Sequence, residues 1–221
     1  MQSRKVRTKV WLRSLMFMLA LLLVLSLAGT AVAATLVSGD EYRLESGQVI
    51  EDNLYVAGEE IIIDGTVDGD LIAVGGYIEV NGRVTGDVLA AGGGIVINGA
   101  VEGDVRIAGG GLKVNGTIGG DLVAAGGGAT AGVPEFTINV ADRMIDQGLR
   151  VAPSATVGKD ALLAGGSGEI GGTINGNLWT GMGRVTLNGT VGGDANLYAG
   201  QISVSDNAKV GGTLVYGTDS E

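Results

Sequence analysis

The stretch that decides the fold is residues 64–114, which read DGTVDGDLIAVGGYIEV, NGRVTGDVLAAGGGIVI and NGAVEGDVRIAGGGLKV in consecutive blocks of 17. The same block is traced without a gap from residue 47 to residue 131, and again from residue 154 to residue 204. The blocks start at Gly47, Asp64, Asn81, Asn98, Asn115, Ser154, Gly171 and Asn188, and a final irregular block runs from Ser205 to about Tyr216. Internal periods this short are typical of β-helices.

We number the positions of the block as columns 1 to 17. Column 4 is always β-branched, columns 8 and 10 are mostly apolar, and columns 15 and 17 form a second apolar pair, as in Val67, Leu71, Ala73, Ile78 and Val80. Apolar residues two apart indicate strands, so each block carries two short strands and a single anchor at column 4. Each block therefore forms one turn with three sides. Turns stacked at about 4.8 Å predict an all-β fold: a parallel β-helix of about nine turns, in which like residues pack on like residues.

Glycine, 42 of the 221 residues, is expected at the corners between these strands. One corner carries Asn81-Gly82, Asn98-Gly99, Asn115-Gly116 and Asn188-Gly189. Asn and Gly tolerate positive φ, so we expect that conformation there. A second corner carries the triplets 92–94, 109–111 and 126–128, where a Cβ would crowd the neighbouring turn.

Residues 129–153 interrupt the repeat within a single solenoid domain predicted over residues 47–221. They include both prolines of the chain, and the spacing of Val140, Met144, Ile145 and Leu149 suits a short helix. The segment fits either an extra turn with about five additional residues or a loop with a helix on the solenoid's side. A tolerated lateral insertion and a protrusion that binds a partner both stay open.

The N-terminal residues have the layout of a secretory signal peptide. Arg4, Lys5, Arg7, Lys9 and Arg13 precede an apolar run from Ser14 to Ala28, and Ala31-Val32-Ala33 follows it. We therefore predict a signal peptide over residues 1–33, an N-terminal lead-in over 34–46, and export to the cell envelope or the medium. An uncleaved membrane anchor is the alternative.

The charge balance bears on possible partners. The whole chain has a net charge of -10, and loss of the five basic residues of the signal would leave nine Lys and Arg against 24 Asp and Glu, a net charge of -15. A nucleic-acid partner is not expected, because phosphate binding needs a basic face.

Composition also bears on chemistry. The chain has no His and no Cys, so it cannot form Ser-His-Asp or Cys-His nucleophilic sites or histidine-based zinc sites. We expect no enzyme activity, no cofactor and no catalytic or metal-binding residues. Column 7 is nevertheless a ladder of carboxylates and amides, made of Asn53, Asp70, Asp87, Asp104, Asp121, Asp160, Asn177 and Asp194. We expect each to accept backbone N–H bonds in its own Asx-type turn; calcium bound between neighbouring turns is the alternative.

Three aromatic residues, Tyr55, Trp179 and Tyr198, are expected at outward or corner positions, where they could stack on sugars. Tyr55 and Trp179 share column 9 with several aliphatic residues. An apolar lateral stripe of this kind more often marks contact with another protein or another copy of the chain.

The blocks 64–80, 81–97 and 115–131, with their recurrent G-[TRA]-[VI]-x-G-D-[LV] segment, resemble the coils of the bactofilins, bacterial polymer-forming cytoskeletal proteins. The resemblance covers Gly47 to about Tyr216. It implies a right-handed, roughly triangular β-helix that polymerises end to end without nucleotide and attaches to a membrane as a scaffold. Bactofilins proper are cytoplasmic, whereas the predicted signal peptide makes this chain similar to exported relatives.

A solenoid's ends are unpaired strand edges, so they are the expected self-association sites. The residues predicted for these ends are Ile50, Leu54, Val210, Leu214, Val215 and Tyr216. The expected partners are the chain itself and membrane or cell-wall components. The expected function is a structural, self-assembling scaffold; the alternative is a monomeric module that binds a polysaccharide or an envelope protein.

Overall fold

The computed structural model describes residues 35–127, 137–140 and 143–218. Thr35–Glu221 forms one compact unit, and the strand pairings described below all lie within it. The predicted signal peptide, residues 1–33, lies outside the described residues. Within the described ranges, no helix is long and apolar enough to cross a membrane.

The described part of the chain is all-β. The strands are β1 (Thr35–Ser38), β2 (Glu41–Leu44), β3 (Val49–Ile50), β4 (Leu54–Ile63), β5 (Thr66–Val67), β6 (Leu71–Val80), β7 (Arg83–Val84), β8 (Val88–Ile97), β9 (Ala100–Val101), β10 (Val105–Val114), β11 (Thr117–Ile118), β12 (Leu122–Gly126), β13 (Thr137–Val140), β14 (Arg143–Asp146), β15 (Gly148–Val151), β16 (Thr156–Val157), β17 (Ala161–Ile170), β18 (Thr173–Ile174), β19 (Leu178–Leu187), β20 (Thr190–Val191), β21 (Ala195–Val204), β22 (Lys209–Val210) and β23 (Leu214–Gly217).

The predicted parallel β-solenoid is confirmed. One sheet has 12 strands. Ten follow the order β1-β4-β6-β8-β10-β12-β17-β19-β21-β23, β2 pairs with β4, and β15 pairs with β10 and β17. A second sheet of nine two-residue strands runs from β22 to β3. Within the regular repeat, neighbouring strands pair in parallel at the 17-residue offset, as in Leu71 with Val88. The ten strands on the main path give about ten turns, one more than the repeat predicted.

The predicted columns form the core. In one coil, Val84, Val88, Ala90, Ile95 and Ile97 represent columns 4, 8, 10, 15 and 17, and all five are buried. Since most coils repeat this set, aliphatic side chains stack along the axis and exclude water from the interior coils.

The glycine triplets form a corner inside the ten-residue strands rather than between separate strands. Inward-pointing residues change there from even to odd columns, and the pairing of β6 with β8 is interrupted at Gly76 and Gly93. A Cβ on Gly92 would lie 2.6 Å from the carbonyl oxygen of Gly75. The expected crowding by the neighbouring turn is therefore confirmed.

The Asn-Gly corners require glycine for a different reason from the one predicted. Positive φ angles occur among the described glycines at Gly47, Gly148 and Gly165 instead. At the Asn-Gly corner the coils approach so closely that a Cβ on Gly99 would overlap the carbonyl oxygen of Gly82. The expectation of positive φ at these corners is wrong, and close backbone packing between coils explains the glycines.

The asparagines of the same corner bond to one another. The side-chain amide of Asn98 donates to the side-chain oxygen of Asn81 at 2.7 Å, and that of Asn115 donates to Asn98 at 2.6 Å. Asn81 donates in the same way to Asp64 at 2.7 Å. Column 1 is thus an amide ladder along the outside of the solenoid.

The inserted segment contains strands where a helix was expected. β13 and β14 form an antiparallel hairpin, and Ile145 of β14 lies against Gly94 and Gly111 of the solenoid. β15 returns to the coil, with Leu149 paired to Leu112 in column 15. The helix prediction for Val140 to Leu149 is therefore wrong for the described residues, because the same apolar spacing also suits short strands and a return to the core.

The lead-in also belongs to the solenoid. β1 and β2 pair with β4, so that residues 35–44 form the additional turn. Thr35 pairs with Leu54, an offset of 19 rather than 17, because a turn closed by the N–H of Gln48 and the carbonyl oxygen of Glu45 at 3.0 Å enlarges the corner.

Candidate functional site

The C-terminal end of the solenoid exposes columns that are buried elsewhere. Leu214 and Tyr216 occupy columns 8 and 10, and they are 37% and 69% exposed. The residues beneath them, Ala195 and Leu197, are fully buried. Val204, in column 17, is 43% exposed. Among the described residues, the apolar interior is therefore open at this end.

The backbone at this end is open as well. Among the described strands, none pairs with the outer side of β22 or β23. β23 reads LVYG, with no charge and no proline to block pairing. Unpaired, uncharged edges of this kind are templates for a further strand.

The N-terminal end is formed by β1, β2 and β3. Ile50 lies in β3 at the outer edge of the nine-stranded sheet, as predicted for an end residue. Leu54 does not lie at an end, since it is fully buried and pairs with Thr35. The other predicted end residues, Val210, Leu214, Val215 and Tyr216, lie in the terminal strands β22 and β23. Sequence reasoning misplaced Leu54 because the lead-in pairs at an offset outside the repeat.

The column 7 ladder bonds between coils rather than within each turn. In every case the side-chain Oδ1 accepts the backbone N–H of the column 7 residue in the next coil, at 2.7 to 2.9 Å. The acceptors are Asn53, Asp70, Asp87, Asp104, Asp121, Asp160, Asn177 and Asp194. The expected backbone bonds are present, but the predicted Asx-type geometry is wrong.

Charge in the ladder is compensated in part by these bonds. The N–H of Asp121 and then the guanidinium of Arg106 hold the pKa of the Asp104 carboxyl below its usual range. Arg106 lies 2.8 Å from Asp104 and 3.4 Å from Asp87. In the described ranges, no group of three or more His, Cys, Asp or Glu side chains is placed to hold a metal ion.

An apolar surface, which we call the lateral face, runs along the outside of the main sheet. Column 9 contributes Leu36, Tyr55, Ile72, Leu89, Arg106, Val123, Leu162, Trp179, Asn196 and Val215. Column 11 contributes Ser38, Ala57, Val74, Ala91, Ala108, Ala125, Ala164, Gly181, Tyr198 and Gly217. The sequence predicted the aromatic members as outward, and Trp179 and Tyr198 are exposed. It missed column 11, although an outward column two residues from column 9 follows from the strand period.

A groove of about 920 Å³ lies beside the inserted hairpin and was not predicted. Arg143 of β14 bonds to Glu60 at 2.6 and 2.9 Å, and its guanidinium lies 4.7 Å from the ring centre of Tyr77. Burial, followed by the neighbouring Glu79 carboxylate, raises the pKa of Tyr77 to about 12. Arg143 thus holds the hairpin against the solenoid, and Lys113 and Arg150 add positive charge to the groove wall.

Comparison with known proteins adds no relative: no protein-family model matches the sequence, and neither the curated proteins nor the solved structures yield a match. The described residues define a class of fold, a parallel β-solenoid with a coil of 17 residues.

Proposed function

We propose that this chain is a non-enzymatic structural protein that assembles end to end into a polymer or scaffold of the bacterial cell envelope. The observation that carries the proposal is the exposure of Leu214, Tyr216 and Val204, which belong to columns buried in the interior coils. A second copy stacked on this end would bury them and pair the edge of β23.

The driving force would be the same as within the solenoid. Each interior coil is held by parallel backbone pairing and by burial of its core columns. An added coil from another copy supplies both, and strand addition to an exposed edge is a common mode of protein association. No bound nucleotide is needed for such a step.

Placement in the envelope rests on the sequence. The apolar run from Ser14 to Ala28, with its basic flank, supports export, and an uncleaved segment would instead anchor the scaffold to the membrane. The resemblance of the coils to those of bactofilins supports a polymeric role. Envelope or cell-wall components would be the remaining partners.

A second candidate function is favoured by the groove beside the hairpin. Its mixed wall of Lys113, Arg150, Glu169 and Thr186 could bind a polysaccharide or an envelope protein in a monomeric module. The two functions differ in whether the purified chain associates with itself or remains monomeric and binds a glycan.

Sedimentation velocity of residues 35–221 at increasing concentration tests the proposal. We expect large species for the natural sequence and their loss in a Leu214→Lys, Tyr216→Glu variant, which places charges in the open core columns. A control with the same charges at exposed column 3 positions, Ala100→Glu and Thr117→Lys, should assemble normally. Assembly that persists in the end variant, with retained circular dichroism, would refute the end as the contact.

A further inference from the structure

We propose that the lateral face is a second self-association surface, on which another copy of this chain packs side by side with its solenoid axis parallel. The proposal does not depend on end-to-end assembly, because most of the lateral face lies on interior coils, away from the end surfaces. It assigns a partner and an orientation to a surface that the proposed function leaves unused.

The lateral face exposes more apolar surface than isolated outward residues would. Leu89, Val74 and Leu162 are 54%, 57% and 52% exposed, and they belong to two adjacent, mostly apolar columns. Arg106 is the one charged residue among the twenty members of columns 9 and 11 in the described strands. Apolar patches of several hundred Å² that are free of charge mark contact surfaces.

The sizes of the side chains in columns 9 and 11 favour one particular packing. Column 9 carries mostly large residues, and column 11 mostly alanine or glycine; Leu162 and Ala164 are one such pair. A two-fold axis parallel to the solenoid axis places column 9 of one copy against column 11 of the other. In most coils a large side chain then meets a small one at the same height, as Leu89 meets Ala91 and Trp179 meets Gly181, which is the complementarity that close packing requires.

The positions of the column 7 carboxylates favour the same two-fold axis, parallel to the solenoid axis. The column 7 carboxylates lie along one border of the lateral face, and the glycine corner lies along the other. With the parallel axis, Asp87 and Asp104 approach the glycine corner of the other copy. With a perpendicular axis they would approach the same carboxylates, an unfavourable juxtaposition of like charges.

Arg106, the one charged residue of the lateral face, is compatible with packing of this face against another copy. The guanidinium of Arg106 bonds to Asp104 at 2.8 Å and reaches Asp87 at 3.4 Å, so it lies toward the column 7 border. Its methylene stem remains over column 9, as is common for arginine on apolar surfaces. When another copy covers the lateral face, the guanidinium of Arg106 therefore keeps its carboxylate partners Asp104 and Asp87.

The area is adequate for a weak dimer. Eight coils at about 4.8 Å give a contact about 38 Å long. We estimate roughly 600 Å² covered per copy, so that a pair reaches the lower limit of specific interfaces, about 1,200 Å². Weak lateral contacts of this size are strengthened when many are joined in line.

The first test uses the Leu214→Lys, Tyr216→Glu variant of residues 35–221, in which end assembly is removed. Sedimentation over a hundredfold concentration range should show a monomer–dimer equilibrium. Adding Leu89→Glu and Leu162→Glu should weaken dimerisation at least tenfold, whereas Ala100→Glu and Thr117→Glu should not. If the end variant remains a monomer at every concentration, the lateral proposal is overturned. End-to-end assembly is tested separately: filaments formed by a chain that carries only Leu89→Glu and Leu162→Glu would support it.

The second test addresses orientation. Because the chain has no cysteine, Leu162→Cys and Ala164→Cys can be introduced singly into that variant. Oxidation should link the two proteins when mixed and neither alone, because only opposed columns come within disulfide distance. Efficient self-linking of Leu162→Cys would overturn the parallel axis. A third outcome is that monomers bind phosphatidylcholine vesicles and that Leu89→Glu with Leu162→Glu abolishes this binding. That result would assign the lateral face to lipid and overturn the proposal.

Discussion

Column 7 shows how one side chain per coil can link neighbouring coils. Asp121 accepts the N–H of Asp160 at 2.9 Å, and the same bond recurs along the ladder with either Asp or Asn as the acceptor. A side-chain oxygen, rather than a negative charge, is the shared requirement. The ladder is therefore primarily a structural feature of the solenoid.

Substitutions of Asp121 test this interpretation. Asp121→Ala should lower the free energy of unfolding by about 1–3 kcal/mol, because a backbone donor loses its acceptor. Asp121→Asn should cost much less, as Asn53 and Asn177 already serve the ladder. Urea denaturation measures both; equal losses for the two variants would instead implicate the charge.

A second feature at the scale of the residue is a gap in the core at Gly168, which a side chain of the next coil fills. Column 15 is aliphatic in most coils but is glycine at Gly168, and the side chain of Met182 from the next coil fills the space that a Cβ would occupy. Met182 itself stands in a column that is glycine at Gly165 in the preceding coil. Each departure from the repeat therefore accounts for the other.

A double-mutant cycle checks this pair. Met182→Gly should cost about 2–4 kcal/mol through the cavity it leaves, and Gly168→Ile about 1–3 kcal/mol through overpacking. The double variant restores the usual columns and should be more stable than either single variant in thermal unfolding. Additive losses would show that the two positions are independent.

At the scale of the element, the corners are set by contact between coils rather than by unusual dihedral angles. A Cβ on Gly99 would overlap the backbone of Gly82 and lie 2.6 Å from the carbonyl oxygen of Asn81. At Gly181, on the lateral face, a Cβ would meet nothing within 4 Å. A side chain would therefore be expected to cost stability at Gly99 but not at Gly181.

Alanine substitutions separate these roles. Gly99→Ala should destabilise the solenoid by more than about 2 kcal/mol, because backbone cannot move aside cheaply. Gly181→Ala should be neutral or stabilise by about 0.4–1 kcal/mol through the unfolded state. Equal melting temperatures for the two variants would contradict the role assigned to the Asn-Gly corner.

The elements also show what the sequence could and could not predict. The 17-residue period sufficed for the register and the core columns, since each core residue stacks on its own repeat. The hairpin was missed because the spacing of Val140, Met144 and Ile145 does not distinguish a helix from paired strands. β1 and β2 were missed because the enlarged corner at Glu45 to Gln48 moved their register to 19.

At the scale of the whole molecule, the two kinds of surface are chemically distinct. The C-terminal end is a cross-section of the core with unpaired strand edges among the described strands, whereas the lateral face is the outer surface of a sheet whose interior strands pair on both sides. The sequence predicted the first because the ends of a solenoid are unpaired strand edges. The sequence also predicted the outward column 9 stripe of the lateral face, whereas column 11, which completes that face, required the structure.

Electron microscopy of residues 35–221, beside the Leu214→Lys, Tyr216→Glu variant, tests end-to-end assembly most directly. We predict filaments with a 4.8 Å spacing along the axis and a subunit repeat of about 48 Å, given about ten turns per copy, and their loss in the variant. Uniform short monomers for both proteins at every concentration would contradict the account.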